Sequence, residues 1–225
     1  MIVRRRTIQQ IVEEQVQKWQ FAHVEAKPRP TALTVVTISR EPGSGGRLIA
    51  QGIAEKMKFD LFHQEVIHQM AESAQVSERL LESLDEKGLS MIEDWAAVAI
   101  QQRHLWPDQY LQHLLKVIGT IGKHGRCVIV GRGANFILPA EGSFRVRVIA
   151  PRKFRAQKVA EEYKISPAEA ERRIIRTDSD RRAFIRKYFN EDIADPLNYD
   201  LILNTGVITL DESVTAVCAI LSGRS

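Results

Sequence analysis

A glycine-rich segment that joins a β-rich run to a helical pattern constrains the fold of this chain more than any other feature. Residues 33–38 form the β-rich run, residues 43–47 read Gly-Ser-Gly-Gly-Arg, and apolar residues then recur at helical spacing to residue 57. A helix that begins directly after such a loop points its free N–H groups and the positive end of its dipole at an anion. Glycines allow a tight turn and a close approach of phosphate oxygens. The segment is therefore a candidate phosphate-binding loop, and a purely structural turn is the alternative.

The loop departs from the Walker A pattern, G-x-x-x-x-G-K-[ST]. In one register Gly46 replaces the lysine and Arg47 the hydroxyl residue; in the other, Arg47 replaces the lysine and Leu48 the hydroxyl residue. The first glycine is absent in both registers. Arg47 can supply the charge of the lysine, and Ser39 or Ser44 could supply a hydroxyl, but the spacing assigns no metal ligand.

Strand-like runs alternate with helical patterns along the rest of the chain. Strands are predicted at residues 59–62, 127–130, 146–150 and 201–203, and helices over about 65–123, from Ser166 and from Thr209, with breaks near Gly88 and Pro107. Residues 166–169 form a capping box with proline at the first helical position. This alternation predicts an α/β fold whose parallel sheet is covered on both faces.

Residues 4–27 predict an additional amphipathic helix. Its apolar stripe includes Ile8, Val12, Val16 and Trp19, and the prolines at 28 and 30 end the pattern. The stripe is expected to pack on the main body or on a second subunit, and a helix on a membrane surface is a weaker alternative. We therefore divide the chain into residues 1–30, a helix and linker, and residues 31–225, the main domain.

The positive charge of the chain is concentrated in one segment. The 225 residues carry a formal net charge of +4, but residues 145–190 alone contain 14 Lys and Arg against 6 Asp and Glu, a local net charge of +8. Arginine forks match phosphate oxygens, so this segment is either a phosphate-binding element or a solvated helical face. A nucleic-acid surface is a weaker alternative, since aromatic residues are not interleaved at a recognised spacing.

Composition excludes several classes of protein. Apolar residues make up 44% of the chain, too many for a disordered protein, and no apolar run approaches the roughly 18 residues of a membrane span. Cys127 and Cys218 lie in apolar stretches and predict buried thiols in a reducing compartment. We therefore expect a cytoplasmic protein that binds neither nucleic acid nor membrane.

Three segments together resemble the cytidylate kinase-like family, a branch of the P-loop nucleoside monophosphate kinases. They are residues 37–47, residues 130–135 (Val-Gly-Arg-Gly-Ala-Asn) and residues 198–205 (Asn-Tyr-Asp-Leu-Ile-Leu-Asn-Thr). The resemblance covers about residues 33–220 and leaves the N-terminal helix outside. It implies a P-loop NTPase three-layer sandwich with a five-stranded parallel sheet of order 2-3-1-4-5 and a mobile helical lid at about residues 151–195.

The resemblance also implies roles for individual residues. The donor phosphates would be held by the loop, namely Gly43, Ser44, Gly45, Gly46 and Arg47. Arg132 would bind the acceptor, with His63 at the exit of the second strand. The catalytic set would be Arg47, Arg176, Arg181 and Asp178, in which Asp178 orients a lid arginine, and Arg173 and Arg182 would belong to the lid. The alternatives are a structural Arg132 that bonds loop carbonyls and lid arginines that form a solvated face.

Some base-reading positions differ from those of typical cytidylate kinases. Val130 and Gly133 stand where those enzymes carry the aspartates of an Asp-Gly-Arg-Asp turn, and His63 stands where they carry an aspartate. Arg132 matches the arginine of that turn. The arginine of the turn is therefore retained, whereas the groups that recognise the base are changed, so the resemblance does not imply specificity for cytidine.

The activity implied by the resemblance is ATP-dependent transfer of the γ-phosphoryl group to a nucleoside monophosphate or a similar small phosphorylated acceptor. ATP and Mg²⁺ are the implied cofactors. A hypothesis from a different class is a catalytically impaired, kinase-like protein that binds a nucleotide or another anion as a sensor or interaction module. Homo-oligomerisation through the N-terminal helix stays open.

Overall fold

The structure is a computed structural model that describes residues 7–25, 35–102 and 108–223. The strands are β1 (Val35–Arg40), β2 (Asp60–Phe62), β3 (Cys127–Val130), β4 (Ser143–Ile149) and β5 (Leu201–Asn204). The helices are α1 (Ile8–Glu25), α2 (Gly46–Met57), α3 (Gln64–Glu72), α4 (Ala74–Leu81), α5 (Glu86–Gln102), α6 (Gln109–His124), α7 (Ala134–Ile137), α8 (Arg152–Tyr163), α9 (Pro167–Phe189) and α10 (Leu210–Gly223).

The five strands form one parallel sheet in the order β2-β3-β1-β4-β5. β1 lies at the centre, where Val36 is in register with Val128 on one side and with Phe144 on the other. The predicted topology is therefore confirmed. In a parallel sheet the carboxyl ends of all strands meet at one edge, so the loops after β1, β2 and β3 converge there.

Apolar side chains of the central strands alternate between two cores. On one face Val36 and Ile38 pack with Ile49 and Ile53 of α2 and with residues of α10. On the other face Ile129 packs in a cluster with residues of α3, α4, α6 and α7. Each fully buried aliphatic side chain contributes about 1.5–3 kcal/mol relative to an exposed one. Coverage of both faces explains why the strands read as continuous apolar runs rather than alternating ones.

Helix α1 packs on the main body. Val12, Val16 and Trp19 are buried in the core cluster that also holds α3 and α6, and the Trp19 indole stacks on the His124 ring at a centroid distance of 3.9 Å. The sequence left open whether the apolar stripe packs on the main body or on a second subunit, and in the structure it packs on the main body of its own chain. The prolines at 28 and 30 lie outside the described residues.

The helices between β2 and β3 differ in detail from the sequence prediction. A break at Ser73, whose hydroxyl accepts a bond from the Val76 N–H, separates α3 from α4 and was not expected. The break predicted near Gly88 lies at residues 82–85, between α4 and α5, and Gly88 itself is in the first turn of α5. Pro107 lies outside the described residues. In the described ranges, no helix is long and apolar enough to cross a membrane.

Helices α8 and α9 lie between β4 and β5, where the fold prediction has a lid. The hydroxyl of Ser166 accepts a hydrogen bond from the N–H of Glu169, so the predicted cap begins α9. Asn190 ends it in the left-handed conformation at φ 52°. The prediction of a buried thiol is confirmed for Cys127 and wrong for Cys218, which is partly exposed.

Candidate active site

The glycine loop runs from the end of β1 to the start of α2. Gly43 and Gly45 adopt left-handed φ values of 76° and 74°, which L-residues with a Cβ rarely adopt. Gly45 is the N-cap of α2, and no side chain in the described ranges caps this helix end. The first N–H groups of α2 therefore remain available to an anion.

Two other elements hold the loop in place. The Thr205 hydroxyl at the end of β5 donates to the carbonyl oxygen of Ser44 at 2.8 Å, and the Ser44 hydroxyl donates to that of Glu41 at 2.8 Å. A Cβ at Gly43 would lie only 2.5 Å from the carbonyl oxygen of Arg155 on α8. The glycines thus allow both the turn and a close approach of the lid.

Arg47 lies in the first turn of α2. In the second of the two Walker A registers it occupies the position of the lysine. Its side chain is 53% exposed and forms an ion pair with Glu65 of α3 at 3.5 Å. An exposed pair of this kind contributes little to stability and is easily exchanged for another anion. Arg47 is therefore free to turn toward a phosphate that occupies the loop.

The residues around the loop do not fit a protein-borne Mg²⁺ site of the Walker type. Leu48, at the hydroxyl position, is 59% exposed. The hydroxyl of Ser39 accepts from Arg147 at 2.8 Å and from Tyr199 at 3.3 Å, and the hydroxyl of Ser44 is bonded to the loop backbone. Within the residues that the structure describes, no group of three His, Cys, Asp or Glu could hold a metal ion.

The turn after β3 presents Arg132 at the same edge of the sheet. Gly131, Arg132 and Gly133 all have positive φ values, of 79°, 53° and 70°. The Arg132 guanidinium lies 5.4 Å from the centre of the Phe184 ring of α9. Arg132 Nε and Asn135 Nδ2 are buried without a hydrogen-bond partner in the structure. Neither of these two donors bonds a loop carbonyl.

His63 caps α3 directly after β2. Burial, and then the charge of Arg47 and the weaker effect of Arg40, lower the pKa of His63. The imidazole is therefore neutral at neutral pH, and its buried Nδ1 has no hydrogen-bond partner in the structure. A neutral ring can accept or donate one bond here, but it adds no positive charge.

The lid contacts the loop through two arginines, the half-buried Arg181 and the buried Arg155. Arg181 of α9 donates from Nη1 to the carbonyl oxygen of Arg40 at 2.6 Å, and burial lowers its pKa. Arg155 of α8 is only 5% exposed and bridges Glu41 at 3.2 Å and Asp178 at 3.0 Å. Asp178 thus holds a lid arginine in place, and that arginine is Arg155, which sequence analysis did not single out.

The structure places the remaining lid residues elsewhere. The Arg173 guanidinium stacks on Tyr163 of α8 at 3.8 Å from the ring centre, and Arg176 is exposed. Arg182 is also exposed and lines a separate hollow of about 340 Å³ with residues such as Arg186 and Glu191. None of these three residues lines the cleft that contains Arg132 and Arg181.

That cleft has a volume of about 380 Å³ and lies between β1, the turn after β3 and α9. Arg132 and Arg181 line it together with residues that were not predicted as site residues, among them Arg40, Gln64, Asn135 and Asp180. Arg40 is only 6% exposed. Burial, and then the charge of Arg181, lower the pKa of Arg40 to about 9, so the guanidinium still carries its charge at neutral pH. The sequence signal that could have identified Arg40 as a site residue is its position at the carboxyl end of the central strand.

A parallel sheet of this order, with a glycine loop after β1, an arginine turn after β3 and helices α8 and α9 before β5, defines the P-loop kinase fold. Within that class the chain belongs to the cytidylate kinase-like family, whose model matches residues 35–207.

Two known proteins are similar to this chain. A cytidylate kinase from Natronomonas pharaonis is 25% identical over 179 residues, which are 79% of this chain and 83% of that protein. The crystal structure of an uncharacterized protein from Eubacterium ventriosum superposes with a TM-score of 0.59 at 19% identity, covering 84% of this chain and 99% of that one. The second likeness supports the fold alone.

Proposed function

We propose that this chain is an ATP-dependent phosphotransferase of the nucleoside monophosphate kinase type, which transfers the γ-phosphoryl group to a small phosphorylated acceptor. The observation that carries the proposal is the convergence of two anion-binding elements at one edge of the sheet. The glycine loop leaves β1 and the Arg132 turn leaves the adjacent strand β3, while Arg181 reaches Arg40 between them. Membership of the cytidylate kinase-like family supports it.

The donor side is formed by the loop and Arg47. Backbone N–H groups of the loop, other than that of Ser44, which donates to the Glu41 carbonyl oxygen, would bind the β- and γ-phosphates. Arg47 would exchange its exposed ion pair with Glu65 for a phosphate oxygen. Mg²⁺ would enter as part of the substrate MgATP, bound to the phosphates, because the loop offers it no free hydroxyl. In this role the ion neutralises charge on the nucleotide.

The acceptor side is formed by the turn after β3. Arg132 would bind the acceptor phosphate through its unpartnered Nε, and neutral His63 would contact the acceptor at the exit of β2. An acceptor oxygen would then attack the γ-phosphorus while the bond to the β–γ bridging oxygen breaks and ADP departs. Such a reaction requires alignment and charge neutralisation rather than covalent participation of the protein.

The lid supplies the third part of the site. Arg181 lies over the cleft and would stabilise charge on the transferring group, and Asp178 would position Arg155 and so the base of the lid. Arg173, Arg176 and Arg182 are assigned to the lid surface and would approach a nucleotide only after a movement of α9. Exclusion of water by the lid would limit hydrolysis of ATP.

A second candidate function is a sensor that binds a nucleotide or another anion without turnover. The observation that favours it is that polar side chains around the loop already form hydrogen bonds or ion pairs within the protein. Ser39, Ser44, Glu41 and Asp178 are all bonded within the protein, and Leu48 stands at the hydroxyl position. A loop of this kind keeps the N–H groups of residues 45–47 for anion binding, whereas the Ser44 N–H donates to the Glu41 carbonyl oxygen at 3.3 Å. It lacks the usual Walker contact with the metal of MgATP.

An acceptor screen separates the two functions. ADP release from MgATP is measured in a coupled assay with CMP, UMP, AMP, GMP and small sugar phosphates, and MgATP binding is measured by titration calorimetry. Acceptor-dependent ADP release is expected for the phosphotransferase. Binding of MgATP with no acceptor that stimulates release would establish the sensor instead. CMP belongs in the screen because the Natronomonas pharaonis relative is a cytidylate kinase.

A further inference from the structure

The side chain of Arg40 lies between the two anion-binding elements. A Cβ at Gly46, the first residue of α2, would be 2.6 Å from the Cβ of Arg40. A Cβ at Gly131, in the turn after β3, would be 2.6 Å from Nη1 of the same arginine. The Arg40 side chain therefore extends from the glycine loop to the Arg132 turn.

Arg40 is only 6% exposed. Its guanidinium makes no side-chain hydrogen bond within the described ranges, and its nitrogens, which are not among the fully buried unpartnered atoms, open onto the cleft. The charged neighbours that act on it include Arg181, Arg47 and Arg132. The carboxylate that acts on it, Glu65, forms its own ion pair with Arg47. A buried cation with five N–H donors and mostly cationic neighbours is costly unless an anion completes its surroundings.

Other donors in the same cleft are also incomplete. Arg132 Nε and Asn135 Nδ2 are buried without partners, and both residues line the cleft with Arg40. A single acidic residue, Asp180, lies among the cleft-lining residues against three arginines, Arg40, Arg132 and Arg181. Unpartnered donors and excess positive charge thus meet in a space of about 380 Å³.

We propose that Arg40 is the principal binding residue for a phosphate monoester dianion in this cleft, together with Arg132. A tetrahedral dianion offers several acceptor oxygens, so it can satisfy two guanidinium forks and an amide at once. That the dianion belongs to the phosphoryl acceptor rests on the proposed function. The binding of the dianion itself does not require turnover.

The test compares Arg40→Met, Arg40→Lys and the control Arg172→Met, which changes an exposed arginine of α9 away from the cleft. Calorimetry with ribose 5-phosphate, without ATP, measures binding, and thermal unfolding of the ligand-free variants measures stability. Arg40→Met is expected to weaken binding about 10- to 100-fold, Arg40→Lys less, and Arg172→Met not at all. Arg40→Met is also expected to raise the unfolding temperature, because it removes an unpaired buried charge.

Affinity of Arg40→Met for ribose 5-phosphate within about threefold of wild type would overturn the proposal. A lower unfolding temperature with unchanged affinity would assign Arg40 a structural role instead. If Arg40→Met does not fold, Arg40→Lys provides the binding test, since it keeps the charge and loses the fork. The two proposals can fail independently. If no acceptor stimulates ADP release, the proposed function fails but the proposed binding of the dianion does not. If the protein turns over an acceptor but the Arg40 variants bind ribose 5-phosphate as tightly as wild type, only the proposed role of Arg40 fails.

Discussion

Arg181 of the lid donates a 2.6 Å hydrogen bond from Nη1 to the main-chain carbonyl oxygen of Arg40, the last residue of the central strand. This bond joins α9 to the carboxyl end of β1, which is the end of the sheet that carries the glycine loop. The lid is thus attached through the residue whose side chain lines the cleft, and we expect occupancy of the cleft to affect the position of α9.

Replacement of Arg181 by methionine is expected to lower kcat for acceptor-dependent ADP release by about a hundredfold, with a smaller effect on the KM for ATP. The reason is that removal of one preorganised donor from a site of developing charge has an effect of this size. Steady-state kinetics check it, with Arg172→Met on the same helix as the control. A change confined to the KM for ATP would place Arg181 at the donor nucleotide rather than at the transferring group.

Replacement of Arg47 by alanine is expected to weaken MgATP binding about tenfold or more, because a charged hydrogen bond to phosphate is lost. Loss of the exposed Arg47–Glu65 pair should change the free energy of unfolding by less than about 1 kcal/mol. Calorimetry and urea denaturation measure the two quantities. Unchanged affinity for MgATP would show that the loop is not the phosphate site.

Asp178→Asn is expected to lower the free energy of unfolding by about 1–3 kcal/mol, because the buried Arg155 guanidinium would lose a charged partner at 3.0 Å. Glu41 would still hold the other side of Arg155. Urea denaturation measures the loss, and Glu171→Gln, an exposed change on the same helix, is the control. Equal stability of the two variants would argue against a positioning role for Asp178.

The glycines at 131 and 142 provide a matched pair. Gly131 has φ 79°, and a Cβ there would be 2.6 Å from Nη1 of Arg40, whereas a Cβ at Gly142 would meet nothing within 4 Å. Gly131→Ala is therefore expected to displace the Arg40 guanidinium and weaken ribose 5-phosphate binding at least several-fold, while Gly142→Ala leaves it unchanged. Calorimetry on both variants measures this difference, and equal affinities would contradict the packing of Arg40 against the turn.

The stability of the ligand-free protein is expected to fall as the pH is lowered through about 6.5. Burial and the charges of Arg47 and Arg40 lower the pKa of His63 in the folded state. The unfolded chain therefore binds a proton first, near the ordinary histidine pKa of about 6.5, and the free energy of unfolding decreases below that pH. The decrease ends once the pH has passed the lowered pKa of the folded state.

His63→Asn is expected to reduce this pH dependence, which urea denaturation between pH 7.5 and 5.5 measures. His68 contributes with the same sign, since burial and Arg132 lower its pKa, so some dependence should remain in the variant. An unchanged difference in stability across this range would exclude His63 as a source. Saturating sulfate should also reduce the dependence, because an anion offsets the charges that oppose protonation.

Local signals explain why much of the fold could be predicted. The capping pattern at Ser166 and the apolar runs of β1 and β3 act over a few residues and identified the elements correctly. The break at Ser73 was missed because the apolar spacing continues through it, and only the structure shows the Ser73 hydroxyl capping α4. The sheet order came from the family resemblance, since no pattern within a strand names its neighbours.

The sequence by itself determined the class of fold and the positions of the glycine loop and the Arg132 turn, because strand periodicity, glycine and charge are readable along the chain. Only the tertiary structure decided which arginines face the cleft. Thr177, Asp180, Arg181 and Phe184 share one face of α9, whereas Arg182 is turned by about 100° from Arg181. The burial of Arg40 and Arg155 likewise depends on how α8 and α9 lie across the sheet edge. Burial arises from contacts between distant segments, and no local spacing encodes it.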